Sequence, residues 1–206
     1  MTIAAAIMFS VLKLADFSSF MYCHENTRGP YEMQCVQLDA GARGELKFKR
    51  REAETVNVPI QLSAAGRDRF LAVLAGTDYL DRPETFESGR KIANLGAKRL
   101  RIETSSGKRE TTFNYSMRKD VIELSTFFEN LISQETLSFD ISNAIQFDRL
   151  SVPKRLDQVE KELKGNRIAD PGRLISVLEM IEADQRLMNY ARTQAGKIKK
   201  QIQDRK

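Results

Sequence analysis

The spacing of hydrophobic and polar positions changes near residue 117. Before that point a period of two dominates. In Glu45-Leu46-Lys47-Phe48-Lys49, Leu46 and Phe48 fall on one face and the lysines on the other; Val56, Val58, Ile60 and Leu62 alternate likewise. Pro59 inside the second run predicts an edge strand or a strand end, since proline cannot donate to a ladder. Phe17 to Tyr22 and Tyr31 to Leu38 are strand-like and flank the turn chemistry of Asn26-Thr27-Arg28-Gly29-Pro30. Lys98 to Glu103 and Arg109 to Tyr115 form a hairpin pattern around Ser105-Ser106-Gly107. One helix interrupts this half. Ser63 is its expected N-cap, Phe70, Leu71 and Leu74 share a face, and Gly76 stops it.

After Ser116 the period lengthens to about 3.6. Val121, Leu124, Phe127, Phe128, Leu131 and Ile132 form a helical stripe, expected to continue past Phe139 and Ile145, either unbroken or with a break. Ser151 with Pro153 predicts a second helix that carries Val152, Leu156, Val159 and Leu163 and ends at Gly165. Asp170-Pro171 predicts a third, with the acid as N-cap and proline at the first helical position. A last helix is expected from about Asp184 to Gln203. Strands first and helices second indicate the α+β class. The expectation is an N-terminal antiparallel sheet with one packed helix, then a helical bundle of four to five helices. The boundary is set at 1–117 and 118–206, the second part packed on the first.

Composition narrows the chemistry. The 206 residues include one His, two Cys and no Trp, which nearly excludes a metal cage of soft ligands. Gly89-Arg90-Lys91 lacks the rest of a phosphate-binding loop, and no GxSxG, HExxH, GxGxxG or CxxC pattern occurs. No catalytic residue, metal or cofactor is therefore assigned. Tyr79 to Gly96 is long for a connection and carries Glu84, Glu87, Arg90, Lys91 and Asn94. Asn114, between Phe113 and Tyr115, is expected to bond backbone.

The net charge of +5 is uneven. From Arg186 to Lys206 there are seven basic residues and one acid, so this segment carries +6 and the rest of the chain −1. At ~100° per residue, Leu187, Met188, Ala191, Ala195, Ile198 and Ile202 lie in one stripe, with Arg186, Arg192, Lys197, Lys199 and Lys200 outside it. The plain reading is a docked helix with a solvated basic face; a functional reading is a surface for an acidic partner or nucleic acid. A second basic cluster joins Lys47, Lys49 and Arg51, on one face of a strand, to Arg99 and Arg101 if their strands are neighbours. Cross-strand pairing with Glu explains it without function.

Cys23 and Cys35 each lie six residues from Gly29, so a hairpin centred there sets them opposite each other, within reach of a disulfide. Two buried thiols are the alternative. A disulfide, together with the apolar run Ile3 to Leu12, points to an extracytoplasmic location, and without them the location reads as cytoplasmic; the run itself reads either as a secretory signal or as a packed element. No other segment is apolar enough to span a bilayer. His24 reads as a surface residue of the turn, since its neighbour Cys23 points the other way. The function expected is a non-enzymatic interaction or structural protein that binds another protein or an acidic partner. The alternatives are a nucleic-acid-associated protein using the C-terminal helix and an enzyme with carboxylates in a cleft between the halves.

Overall fold

The computed structural model describes residues 17–26, 28–77 and 85–204. The run Ile3 to Leu12 and, of the long connection, Tyr79 to Glu84 lie outside the described residues. The described elements are β1 (Phe17–Glu25), β2 (Tyr31–Asp39), β3 (Arg43–Arg50), β4 (Thr55–Gln61), α1 (Ala64–Ala75), β5 (Ala97–Thr104), β6 (Gly107–Phe113), α2 (Lys119–Phe147), α3 (Val152–Lys164), α4 (Ile175–Ala183) and α5 (Asn189–Gln203). Short 3₁₀ turns, Arg149–Ser151 and Pro171–Leu174, precede α3 and α4. The α+β class follows directly. Two compact units divide the chain. The first takes the described residues of Met1–Gln61 and Arg67–Glu129, the second those of Leu62–Gly66 and Asn130–Lys206.

All six strands form one antiparallel sheet in the order β4-β3-β2-β1-β5-β6. Period-two alternation gives the sheet two unlike faces. Phe20, Tyr22, Val36, Leu38, Leu46, Phe48, Ile60, Leu100, Ile102 and Phe113 lie inward and are buried. Six aromatic rings make the centre of this layer. Phe128 stacks on Phe20 and Tyr22 at 5.2 and 5.5 Å, and Phe70 meets Phe17, Phe20, Phe127 and Phe128 at 5.8–6.3 Å. Such ring pairs add about 1 kcal/mol each to the gain from burial. Both the helix after Ser63 and the start of α2 thus turn their apolar stripe onto this face. Pro59 lies in β4, an edge strand, as its missing N–H requires. Gly44 is obligatory: any Cβ there would lie 1.8 Å from the Gln37 carbonyl oxygen.

The second unit has its own core. Leu137, Ile141 and Ala144 of α2, Val152, Leu156, Val159 and Leu163 of α3, Val177, Leu178 and Ile181 of α4, and Ala191, Ala195, Ile198 and Ile202 of α5 pack together. One expectation is resolved here and two shift. No break follows Phe139, because α2 holds neither Gly nor Pro and runs unbroken to Phe147. The last helix begins at Asn189 rather than Asp184, because the Asp184 carboxylate accepts the Arg186 N–H at 3.0 Å in a side-chain turn. Asp170 does not cap the helix that follows it. Its carboxylate instead accepts the N–H and Oγ–H of Ser63, both at 2.6 Å, while Ser63 Oγ accepts the Gly66 N–H as the true N-cap of α1. Gln134 accepts the Asp170 N–H and donates to Glu135, and Arg173 forks onto both Glu135 oxygens at 2.7 and 2.6 Å. Buried acids are tolerated only when paired in this way.

Phe128→Ala should cost about 3–5 kcal/mol in urea unfolding, because it empties the centre of the aromatic layer. Phe147→Ala, at a residue 82% exposed, should change stability by less than about 0.5 kcal/mol.

Candidate functional site

The hairpin β1–β2 pairs Cys23 with Cys35 directly, and the two form a disulfide with a Cα–Cα distance of 4.1 Å. Closing so short a loop removes about 3 kcal/mol of denatured-chain entropy. Since Phe20 and Tyr22 point inward, Met21 and Cys23 lie on the opposite, open face. Register carries the row across the whole sheet: Asn57, Lys47, Cys35, Cys23, Arg99 and Thr112 lie side by side. Cys23 is 1% exposed, whereas Cys35 is half-buried.

The basic cluster predicted on the sheet is divided. β3 and β5 are not neighbours; β2 and β1, with the disulfide, separate them. Arg51 lies past the end of β3 and turns back to the Gly29 carbonyl at 3.4 Å, so it does not share the face of Lys47 and Lys49. Each remaining cation meets an acid: Lys47 with Glu45 at 2.7 Å, Lys49 with Glu32 at 2.8 Å, Arg99 with Glu25 at 2.5 Å and Arg101 with Glu110 at 2.8 Å. The Arg101 hydrogen bond, ahead of the opposing effect of burial, holds the Glu110 carboxyl below its ordinary value. These four cations are thus each paired with an acid. At one end the open face dips into a polar hollow of about 430 Å³ lined by Ser19, Gln37, Asp39, Arg43, Glu45 and Asn57.

At the other end of the strands lies the loop Thr85 to Gly96. Asn114 does bond backbone, accepting the Leu95 N–H at 2.8 Å and donating to the Ala93 carbonyl at 3.1 Å; Glu87 accepts the Asn114 N–H at 2.7 Å. His24 is in β1 rather than in the turn, and its Nε2 lies 3.1 Å from the Leu95 carbonyl. Gly96, at φ +104°, passes so close to His24 and Glu25 that no side chain fits. Arg118 lies over the Phe86 ring at 4.9 Å and bonds Thr85 and Asp120. Burial would raise the Asp120 carboxyl, but Arg118, the Val121 N–H and Thr77 together hold it low. Glu87 and Asn94 therefore act within the loop's own scaffold. No group of three or more His, Cys, Asp or Glu among the described residues is placed to hold a metal ion.

Tyr22 donates to Glu129 at 2.8 Å, and Lys98 reaches the same oxygen at 2.6 Å. Burial, then the Glu129 charge, raises the Tyr22 hydroxyl well above its ordinary range, so it stays protonated.

The C-terminal helix buries Ala191, Gln194, Ala195, Ile198 and Ile202 in the second unit's core. Met188 leaves the predicted stripe and is 45% exposed, because it precedes the first turn. Gln194 was not legible as a buried position; its amide donates to Asp157 at 2.7 Å and Glu160 at 3.2 Å. Several cations of the segment have local partners. Arg186 forks onto Asp184, Arg192 donates to the Glu182 carbonyl, and Lys199 bridges Glu182 and Glu179. Lys197 and Lys200 are exposed. Large apolar side chains are exposed in this unit: Phe147 at 82%, Leu150 at 81%, Tyr190 at 63% and Met188 at 45%.

No protein-family model matches the sequence, and no curated protein matches it. No helix among the described residues is long and apolar enough to cross a membrane.

The hydrogen bonds from Arg186 hold the Asp184 carboxyl down at about 2. Because this lies below the ordinary 3.8, the pair's stabilising effect is whole above that value and fades as pH falls through about 2. Carbon-detected NMR titration should find the Asp184 midpoint near 2, and Arg186→Ala should move it up toward 3.8.

Proposed function

We propose that the chain is a non-enzymatic interaction protein of an oxidising, extracytoplasmic compartment, and that it binds another protein. The observation that carries this reading is the exposure of Phe147 and Leu150, three residues apart in the chain, at 82% and 81%. Aromatic residues, Met and Arg are enriched in the cores of protein interfaces, and Phe147 and Arg149 are of those types. Exposed clusters of large apolar side chains mark contact surfaces on soluble proteins. A partner with an apolar recess suits Phe147 and Leu150.

Charge supports a protein over a nucleic acid as the partner. Polyanion binding draws on free cations that release counterions. Here Lys47, Lys49, Arg99, Arg101, Arg186 and Lys199 each already meet an acid. The compartment rests on the Cys23–Cys35 disulfide, since such bonds persist where the surroundings are oxidising.

A photo-crosslinking residue at position 147, introduced in the cell of origin, should give one discrete adduct with a second protein. The same residue at position 108, on β6, should give none. Adducts of equal yield from both positions, or from neither, contradict the reading.

A further inference from the structure

We infer that the Cys23–Cys35 bond is a thiol–disulfide exchange site: a dithiol attacks Cys35 and expels Cys23 as a thiolate beside Arg99. Three observations carry this. The bond lies on the open face of the sheet, in the row between Lys47 and Arg99. Its two residues are unequal in exposure, with Cys23 1% exposed and Cys35 half-buried, which makes Cys35 the side open to a nucleophile. Arg99 stands directly across from Cys23 in register, and its Nε is buried with no hydrogen-bond partner among the described residues, although its Nη2 pairs with Glu25. A buried donor without an acceptor is uncommon in native proteins and calls for an explanation. A thiolate on Cys23 would supply both the acceptor and the opposite charge, and cations beside a thiol favour its ionised form.

The exchange balances. The thiolate of the dithiol forms a bond to Cys35 Sγ as the Sγ–Sγ bond breaks, and the electron pair leaves on Cys23. The reagent's second thiolate then attacks its own sulfur in the mixed disulfide and releases Cys35. Two electrons pass to the protein, its two sulfurs take up the two protons, and the dithiol ends as a disulfide. A better-stabilised leaving thiolate departs faster, so Arg99 acts on the rate as a positioning residue. The sheet tolerates the opening. Cys23 and Cys35 are each paired on their other side, with Arg99 and Lys47, and the inward rings of β1 remain packed.

Dithiothreitol is the probe, with thiol release followed in native buffer and in urea. The native rate should lie within about a hundredfold of the rate for the unfolded chain, and the reduced protein should keep its circular dichroism; a larger protection, or unfolding on reduction, overturns the proposal. Arg99→Met should slow native reduction by about fivefold or more, with Arg99→Lys in between. Arg101→Met serves as the control: it removes a cation two residues along on the same face and should change the rate by less than about twofold. Equal slowing by Arg99→Met and Arg101→Met, or no slowing by either, refutes the role given to Arg99.

Discussion

The register of β1 against its two neighbours is the constraint on which the rest depends. Side chains alternate faces along a strand, so a slip of one residue would exchange every inward position for an outward one. With Tyr22 opposite both Val36 and Leu100, the rings of Phe20 and Tyr22 point at Phe128 and the open face receives Met21 and Cys23. The same register sets Cys23 against Cys35 on one side and Arg99 on the other. Burial of the aromatic layer therefore determines where the disulfide stands. The disulfide adds its few kcal/mol to a pairing the core already specifies.

A second feature of the molecule is how it disposes of charge. Thirty-three basic and 28 acidic residues give a modest excess, but Lys47, Lys49, Arg99 and Arg101 on the sheet each meet an acid. On α5 the excess is partly absorbed by α4, through Lys199 with Glu182 and Glu179, and by the turn at Asp184. Deep in the second unit, Asp170 and Glu135 are held by Ser63 and Arg173 in a network whose role is to join chain segments more than 100 residues apart. These pairs shape the fold.

Much of the architecture could be read from the residues. Leu46 and Phe48 against Lys47 and Lys49, the stripe from Val121 to Phe128, and Pro59 on an edge all rest on local periodicity or on a missing donor. The disulfide was legible because symmetry about Gly29 is a local property of a hairpin. What could not be read depends on distant chain. Whether the strands of Lys47 and Arg99 are neighbours is decided by sheet order, which no local pattern encodes. Asp170 has the sequence of an N-cap, yet Ser63, 107 residues away, competes for its carboxylate and wins with two hydrogen bonds. Phe147 and Leu150 end exposed in the connection between Ala144 and Val152, the residues on either side that pack into the helical core.

The claim that the aromatic core, rather than the disulfide, holds β1 in register is tested most directly by amide hydrogen exchange on the oxidised and reduced protein. The amides of Phe20 and Tyr22 should keep their protection within about tenfold after reduction. Loss of protection along β1 and β2 to the level of a frayed terminus would show that the disulfide sets the register and would contradict the claim.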